Sequence, residues 1–303
     1  MPVHPMTMLD GGMSRELERL GAPFRQPEWS ALALIETPDL VQKAHELFIQ
    51  SGARVVTTNS YAVVPFHIGE ERFQREGETL AERAGKMARQ AVEASKTPTL
   101  VAGSLPPLFG SYRPDLYEAG RVEDIAAPLI NGMDPYVDVW LLETQSLIAE
   151  SVAILAAIAK YSPTKRPIWV SFTLEDAEPT AESVIRSGET VASAVEVMIR
   201  HNVDAILFNC CQPETIEDAL TAAQATLVKH HATNIQLGAY ANAFAPQPKD
   251  ATANDGIDEV RADLTPPAYV TWAQKWRAQG ASLIGGCCGI GTEHIAELTK
   301  QLK

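Results

Sequence analysis

Four cysteines carry the first chemical signal in this chain. They form two adjacent pairs, Cys210-Cys211 and Cys287-Cys288. Consecutive residues of a regular strand point to opposite faces. Both members of a pair can therefore serve one site only where the chain leaves strand geometry. Gly285-Gly286 before the second pair and Gly289 after it supply that freedom, since glycine accepts positive φ and close backbone approach. Three thiolates suit a tetrahedral zinc ion with one position open to a substrate. Free cysteine also fills cores, and a dithiol can act in redox chemistry. Metal ligation, a redox dithiol and inert packing stay open at this point, in that order.

Asp10 and Glu143 are the next pair. Each closes an apolar run, TMLD and VDVWLLE. A desolvated carboxylate is costly unless a cation compensates it, and a substrate ammonium group would do so. The alternatives are a helix N-cap for Asp10 and a structural ion pair for Glu143. The histidines offer less. His230 and His231 fall at a helix end, where cationic side chains suit the dipole, and His294 lies on the last helix; none is expected on zinc. No G-x-G-x-x-G or G-x-x-x-x-G-K-[ST] phosphate fingerprint occurs.

These residues need elements to position them. Short apolar runs alternate with amphipathic stretches along the whole chain, without a sequence repeat. Strands are expected over 7–10, 53–58, 99–104, 137–143, 167–172, 204–209, 235–240 and 281–286. Helices are expected over 39–51, 71–94, 122–133, 147–160, 189–201, 213–230, 267–279 and 292–302. Strand–helix alternation implies a parallel sheet, and eight such units in 303 residues imply an α/β fold of the closed (β/α)8 TIM-barrel type, one domain over 1–303. Asp10, Thr58, Asn59, Ser104, Glu143, Thr173, Asn209, Cys210, Asn242, Cys287 and Cys288 all fall at or just past strand C-termini, which meet around one mouth. Two long connections, Phe109 to Gly120 and Ala241 to Thr265, leave the same end, as substrate loops or as surface excursions.

Composition narrows the partners. Hydrophobic content is 46% and charged content 21%, ordinary for a soluble globular enzyme. The formal net charge is −13, from Asp+Glu 38 against Lys+Arg 25. That argues against nucleic acid and anionic membrane, which want a basic face, and it mildly favours cationic small molecules. Met1 to Leu9 lacks a basic, apolar leader pattern, and no run approaches the ~20 apolar residues that span a bilayer. A cytoplasmic setting follows, where clustered cysteines ligate metals or react more often than they form disulfides.

Placed in order, Asp10-Gly11-Gly12-Met13-Ser14-Arg15-Glu16-Leu17, Trp29-Ser30, Val101-Ala102-Gly103-Ser104, Glu143-Thr144, Ser171-Phe172-Thr173, Asn209-Cys210 and Gly285-Gly286-Cys287-Cys288 resemble the homocysteine S-methyltransferase family over nearly the whole chain. The resemblance implies one zinc ion per chain on Cys210, Cys287 and Cys288. It implies that Asp10 and Glu143 bind the homocysteine amino group and that Gly11 and Thr58 line the amino-acid site. It gives Cys211 no role. The expected reaction is methyl transfer from a sulfonium or ammonium donor to the thiol of L-homocysteine, giving methionine. The partners are then a small-molecule thiol and a methyl donor, and a homo-oligomer is compatible with them. Short members of this family use S-methylmethionine or S-adenosylmethionine. This chain departs from them after the seventh strand: Tyr240-Ala241-Asn242-Ala243-Phe244-Ala245 stands where they read Tyr-Pro-Asn-Ser-Gly-Glu. Their later Trp-His signature is missing, the loop reading Asp255-Gly256-Ile257-Asp258-Glu259. The donor thus stays open, betaine included. A non-catalytic zinc-binding protein and a zinc-dependent hydrolase are the competing readings.

Overall fold

The structure, a computed structural model, describes residues 4–178, 180–248 and 259–302. The stretch Asp255 to Asp258 noted above lies outside the described residues. Eight parallel strands form one sheet: β1 Thr7–Met8, β2 Val55–Thr57, β3 Leu100–Leu105, β4 Val139–Gln145, β5 Ile168–Phe172, β6 Ala205–Asn209, β7 Gln236–Tyr240 and β8 Ala281–Ile284, in the order β1-β8-β7-β6-β5-β4-β3-β2. A parallel bridge between Leu9 and Val55 joins the two ends and closes the (β/α)8 barrel that the alternation implied.

The helices are α1 Met13–Arg19, α2 Ser30–Glu36, α3 Pro38–Gln50, α4 Pro65–Ile68, α5 Glu70–Ser95, α6 Val122–Met133, α7 Ile148–Tyr161, α8 Val191–Arg200, α9 Pro213–Lys229, α10 Pro266–Ala278 and α11 Thr292–Gln301. None is long and apolar enough to cross a membrane, among the described residues. Three of them, α1, α2 and α4, fall where no helix is expected from sequence periodicity. All three are short and lie between a strand end and the barrel-wall helix that follows.

Side-chain alternation builds two apolar layers. Leu9, Val55, Ala102, Val139, Leu141, Trp169, Ala205, Leu207, Tyr240 and Leu283 fill the barrel interior. Their strand neighbours, such as Trp140, Leu142, Ile206 and Phe208, pack outward against the helices. Phe172 and Phe208 are fully buried there, each stabilising the fold by about 1.5–3 kcal/mol through burial. Elements are also terminated locally. Thr190 precedes α8, and its hydroxyl accepts the Ser193 N–H at 3.1 Å, as an N-cap does.

Two register shifts break the alternation, the first of them at the mouth. Leu142 pairs with Val170, but Gln145 pairs with Phe172, so β4 carries one extra residue there. Such a bulge re-aims side chains. Here it lies at Glu143 and Thr144, with Thr144 in the left-handed region at φ 57. A second shift separates Leu237 and Gly238, opposite β8.

Candidate metal centre and substrate pocket

One cavity of about 480 Å3 opens at the C-terminal ends of the strands, within the size range of small-molecule sites. It is lined by all seven residues expected there: Asp10, Gly11, Thr58, Glu143, Cys210, Cys287 and Cys288. The sequence separates them by up to 278 positions (288 − 10). Barrel closure brings them together.

The three sulfurs converge from two strand ends. Cys210 follows β6 in the left-handed region, at φ 52. Its side chain turns into the cavity, while Cys211 turns into the apolar packing and is fully buried. Burial pushes the Cys211 thiol up to about 12, which keeps it protonated and inert. The Sγ atoms of Cys210, Cys287 and Cys288 all lie within 4.8 Å of one another, and these three form a group that could hold a metal ion. Sγ of Cys210 and Sγ of Cys287 are in direct contact as a disulfide pair, with Cα atoms 5.6 Å apart. A disulfide needs two cysteines; the third at the same point suits an ion. Zinc–sulfur bonds of ~2.3 Å in a tetrahedron separate the sulfurs by roughly 3.8 Å, so three thiolates within 4.8 Å fit zinc as a donor set.

The glycines around the second pair act mostly through space. Only Gly289 has positive φ, at +82; a Cβ on Gly286 would lie 2.1 Å from Ile290 Cγ2, and one on Gly285 2.6 Å from Leu9 Cβ. The sequence expectation of left-handed freedom thus holds at Gly289, and Gly285-Gly286 serve close approach. Tyr269 donates its hydroxyl to the Gly285 carbonyl at 2.8 Å. The Cys287 N–H donates to the Ala241 carbonyl at 2.9 Å, and the Ala243 N–H to the Cys288 carbonyl at 2.8 Å, so the β7 and β8 ends hold each other. Asn209 stands behind the sulfurs. Its Oδ1 accepts from Ser171 Oγ at 2.6 Å, its Nδ2 donates to Thr144 Oγ1 at 2.8 Å, and the same Nδ2 lies 3.9 Å from Cys287 Sγ.

The two carboxylates line the same cavity. Asp10 accepts the backbone N–H of Thr57 at 2.7 Å and the Thr57 hydroxyl at 3.1 Å. Gly12 precedes α1, and no side chain caps that helix, so the N-cap alternative for Asp10 is not realised. Glu143 accepts the Ser104 hydroxyl at 2.7 Å. Neither carboxylate forms a salt bridge among the described residues. Burial, with the Glu143 charge adding to it, pushes Asp10 up to about 8. Burial also raises Glu143. Two desolvated carboxyls without a cation make a receptor for one. Thr58 directs its hydroxyl elsewhere, accepting the Ser104 N–H at 2.9 Å and meeting Ser60 Oγ at 2.9 Å. Its neighbour Thr57 is the residue that grips Asp10.

Sequence reasoning missed the aromatic part of the cavity. Phe24, Trp29, Tyr61, His67, Tyr112 and Phe244 line it. Trp29 meets Phe24 edge-on at 5.5 Å. Tyr61 Oη and Ser111 Oγ are 2.7 Å apart. His67 donates from Nδ1 to the Pro27 carbonyl at 3.1 Å, since a carbonyl only accepts. Trp29 stands in the Trp29-Ser30 motif, Phe244 in the departure after β7 and Tyr112 in the connection 109–120, and Tyr61 follows Asn59 by two positions; those placements are the signals the sequence offers. His230, His231 and His294 do not line the cavity.

The sequence profile of the homocysteine S-methyltransferase family matches residues 7–302. The chain is 30% identical to the homocysteine S-methyltransferase of Escherichia coli (strain K12), over 96% of this chain and 93% of that protein. It is 27% identical to homocysteine S-methyltransferase 1 of Brassica oleracea var. italica, over 98% and 93%. The crystal structure of the homocysteine methyltransferase MmuM from Escherichia coli, in its metallated form, superposes with a TM-score of 0.77 at 26% identity, over 98% of this chain and 96% of that one. The profile spans every strand that feeds the cysteine and carboxylate cavity, and on that extent the chain belongs to the homocysteine S-methyltransferase family.

Proposed function

We propose that this chain transfers a methyl group from a sulfonium or ammonium donor to the thiol of L-homocysteine, giving methionine, with zinc on Cys210, Cys287 and Cys288. S-methylmethionine and S-adenosylmethionine are the first donors of choice, then betaine. One observation carries the reading: three sulfurs within 4.8 Å of one another share a cavity with two desolvated carboxylates, Asp10 and Glu143, that pair with no cation among the described residues. A thiol that also bears an ammonium group answers both halves of that receptor.

Zinc, when bound, would keep the substrate sulfur deprotonated and nucleophilic at neutral pH. The chain's own residues do the rest. Asp10 and Glu143 take the ammonium group, and Thr57 and Ser104 orient the two carboxylates. The sulfur attacks the methyl carbon in line, a carbon–sulfur bond forms, and the donor's onium–methyl bond breaks to leave a neutral group. No general acid is required, which fits a cavity whose only histidine among the described residues, His67, hydrogen-bonds a backbone carbonyl. Trp29, Tyr61 and Tyr112 bring aromatic rings to the cavity, which suits a cationic donor, and fixing both reactants supplies much of the rate.

The test is methionine formation from homocysteine with S-methylmethionine, S-adenosylmethionine and betaine in turn, on protein assayed for zinc. One zinc per chain and turnover with one donor are expected. Zinc without methionine from any donor would instead indicate a non-catalytic zinc protein, and turnover without a donor a hydrolase. The Cys210–Cys287 contact favours a redox thiol pair as the second reading. That pair would cycle reversibly between thiol and disulfide in metal-free protein.

A further inference from the structure

A buried arginine that touches neither the sulfurs nor the carboxylates joins four loops of the mouth. Arg186 lies in the segment after β5, which folds back through antiparallel bridges between Leu174 and Ile185 and between Val184 and Thr190. Its partner is Asp176, 3.6 Å away, and both side chains are 2% exposed. A buried ion pair is weak evidence for stability, because desolvation offsets the attraction. What this pair holds is more informative. The Arg186 guanidinium donates to the carbonyls of Gln247, at 3.1 Å, and of Pro248. Asp176 accepts the N–H of Gln247 at 3.2 Å and of Gln212 at 3.0 Å. Segment 244–248 after β7 supplies Phe244, Gln247 and Pro248 to the cavity wall. The pair therefore pins that wall.

The same guanidinium lies 5.4 Å from the ring centroid of Tyr112. Tyr112 is itself held in the left-handed region, at φ 65, and its hydroxyl donates to the carbonyl of Cys210 at 3.4 Å. That carbonyl also accepts the Thr173 hydroxyl at 3.2 Å, and the Arg186 N–H donates to the Thr173 carbonyl at 3.0 Å. Both routes out of Arg186 end on Cys210, whose φ of 52 is one a non-glycine residue keeps only when its surroundings impose it.

We propose that Arg186 and Tyr112 are positioning residues that couple the cavity wall at 244–248 to the backbone setting of the metal ligand Cys210. The wall that encloses the donor and the residue that aims a ligand sulfur are one mechanical unit. This rests on the zinc reading above. Loss of the strap should loosen the metal and the donor together and leave the thiol's amino-group contacts at Asp10 and Glu143 intact.

The experiment compares zinc release into excess chelator with the Michaelis constants of both substrates. Tyr112→Phe removes the hydroxyl and keeps the ring; Arg186→Met removes the fork. Partners one step behind a metal ligand typically change metal affinity about 10–100-fold. Zinc release should accelerate about 10-fold in each variant, and Arg186→Met should raise the donor KM about 10-fold with the homocysteine KM within about 2-fold. Arg186→Lys, which keeps the charge on Asp176, should fall between. The double variant should release zinc no faster than the faster single variant, because both act through one strap. Wild-type zinc release in Tyr112→Phe, or effects in the double variant that simply multiply, would overturn the coupling. If Arg186→Met does not fold, Tyr112→Phe decides alone. Wild-type protein that holds no zinc would remove the metal reading and the proposal together, whereas zinc-replete wild type with unaltered variants removes the proposal only.

Discussion

Thr57 donates both its backbone N–H, at 2.7 Å, and its hydroxyl, at 3.1 Å, to the carboxylate of Asp10. The two residues lie on opposite sides of the barrel seam, where β1 and β2 are joined by the bridge between Leu9 and Val55. The bonds that close the barrel therefore also aim the carboxylate. They favour its ionised form, yet burial outweighs them and pushes Asp10 up to about 8. With its pKa raised to about 8, Asp10 would hold a proton at neutral pH that an incoming ammonium group would displace.

Homocysteine binding at pH 7 should accordingly release more protons than thiol ionisation alone. Calorimetry in buffers of different ionisation enthalpy measures the count. Asp10→Asn should lower it and weaken binding. The sign for stability runs the other way. A carboxyl raised on folding stabilises fully below its unfolded pKa of ~3.9, and that contribution is lost as pH rises through about 8. Asp10→Asn has nothing to lose over that window, so its relative stability should grow from pH 5 to pH 8 by on the order of a few kcal/mol, read as a Tm difference that rises with pH. A difference flat with pH would remove Asp10 as the titrating group.

Glu143 separates the two substrates. Its side chain is partly buried, accepts the Ser104 hydroxyl at 2.7 Å, and would take the ammonium group of the thiol substrate. Glu143→Gln should raise the homocysteine KM by roughly 10–100-fold, the worth of one buried charge-assisted hydrogen bond, with the donor KM within about 2-fold. Ser104→Ala should raise the same constant only a few-fold. Equal effects on both substrates would place Glu143 outside the amino-group site.

How far such a site is legible in sequence depends on whether local pattern or distant contact places each residue. The apolar spacing of α6 predicts Val122–Met133, and the structure has those bounds, because a buried face writes its period into the chain. The two cysteine pairs are legible because barrel topology brings their strand ends to one mouth, whereas the choice of Cys210 over Cys211 comes only with the family resemblance. Thr57 is not, since its hydrogen bonds to Asp10 cross 47 positions and its neighbour Thr58 looks equivalent in sequence. Arg186 is legible still less: it lies in an aperiodic segment, and its partners Asp176, Gln247 and Tyr112 come from three different loops. The donor side of the cavity is built from such contacts, which is why the sequence names the acceptor more readily than the donor.

The two members of the first cysteine pair should behave oppositely. Cys210 reaches the other two sulfurs, whereas Cys211 is fully buried with its thiol pushed up to about 12. Cys210→Ala should leave the chain without bound zinc. Cys211→Ala should keep one zinc per chain by elemental analysis and destabilise by about 1 kcal/mol, the cost of a small vacated volume. Zinc retained in Cys210→Ala would sink the ligand assignment.

Gly12 tests whether the position of the ligand loop, rather than the cysteines alone, sets metal retention. Its backbone, at φ −69 and ψ 110, is one that alanine adopts without strain. A Cβ there would lie 2.6 Å from the Cys287 carbonyl oxygen and 3.0 Å from Cys288 Cα. Both are backbone atoms of the loop that carries Cys287 and Cys288, so the loop must move. Gly12→Ala should therefore speed zinc release about 10-fold, with the helices unchanged by circular dichroism. Gly21 gives the opposite control. It has φ +80 and nothing within 4 Å of an added Cβ, so Gly21→Ala should lower stability by about 1 kcal/mol through backbone strain and leave zinc release untouched. If Gly12→Ala retains zinc as wild type does, the ligand loop accommodates the extra carbon, and close packing against Gly12 is not what aims Cys287 and Cys288.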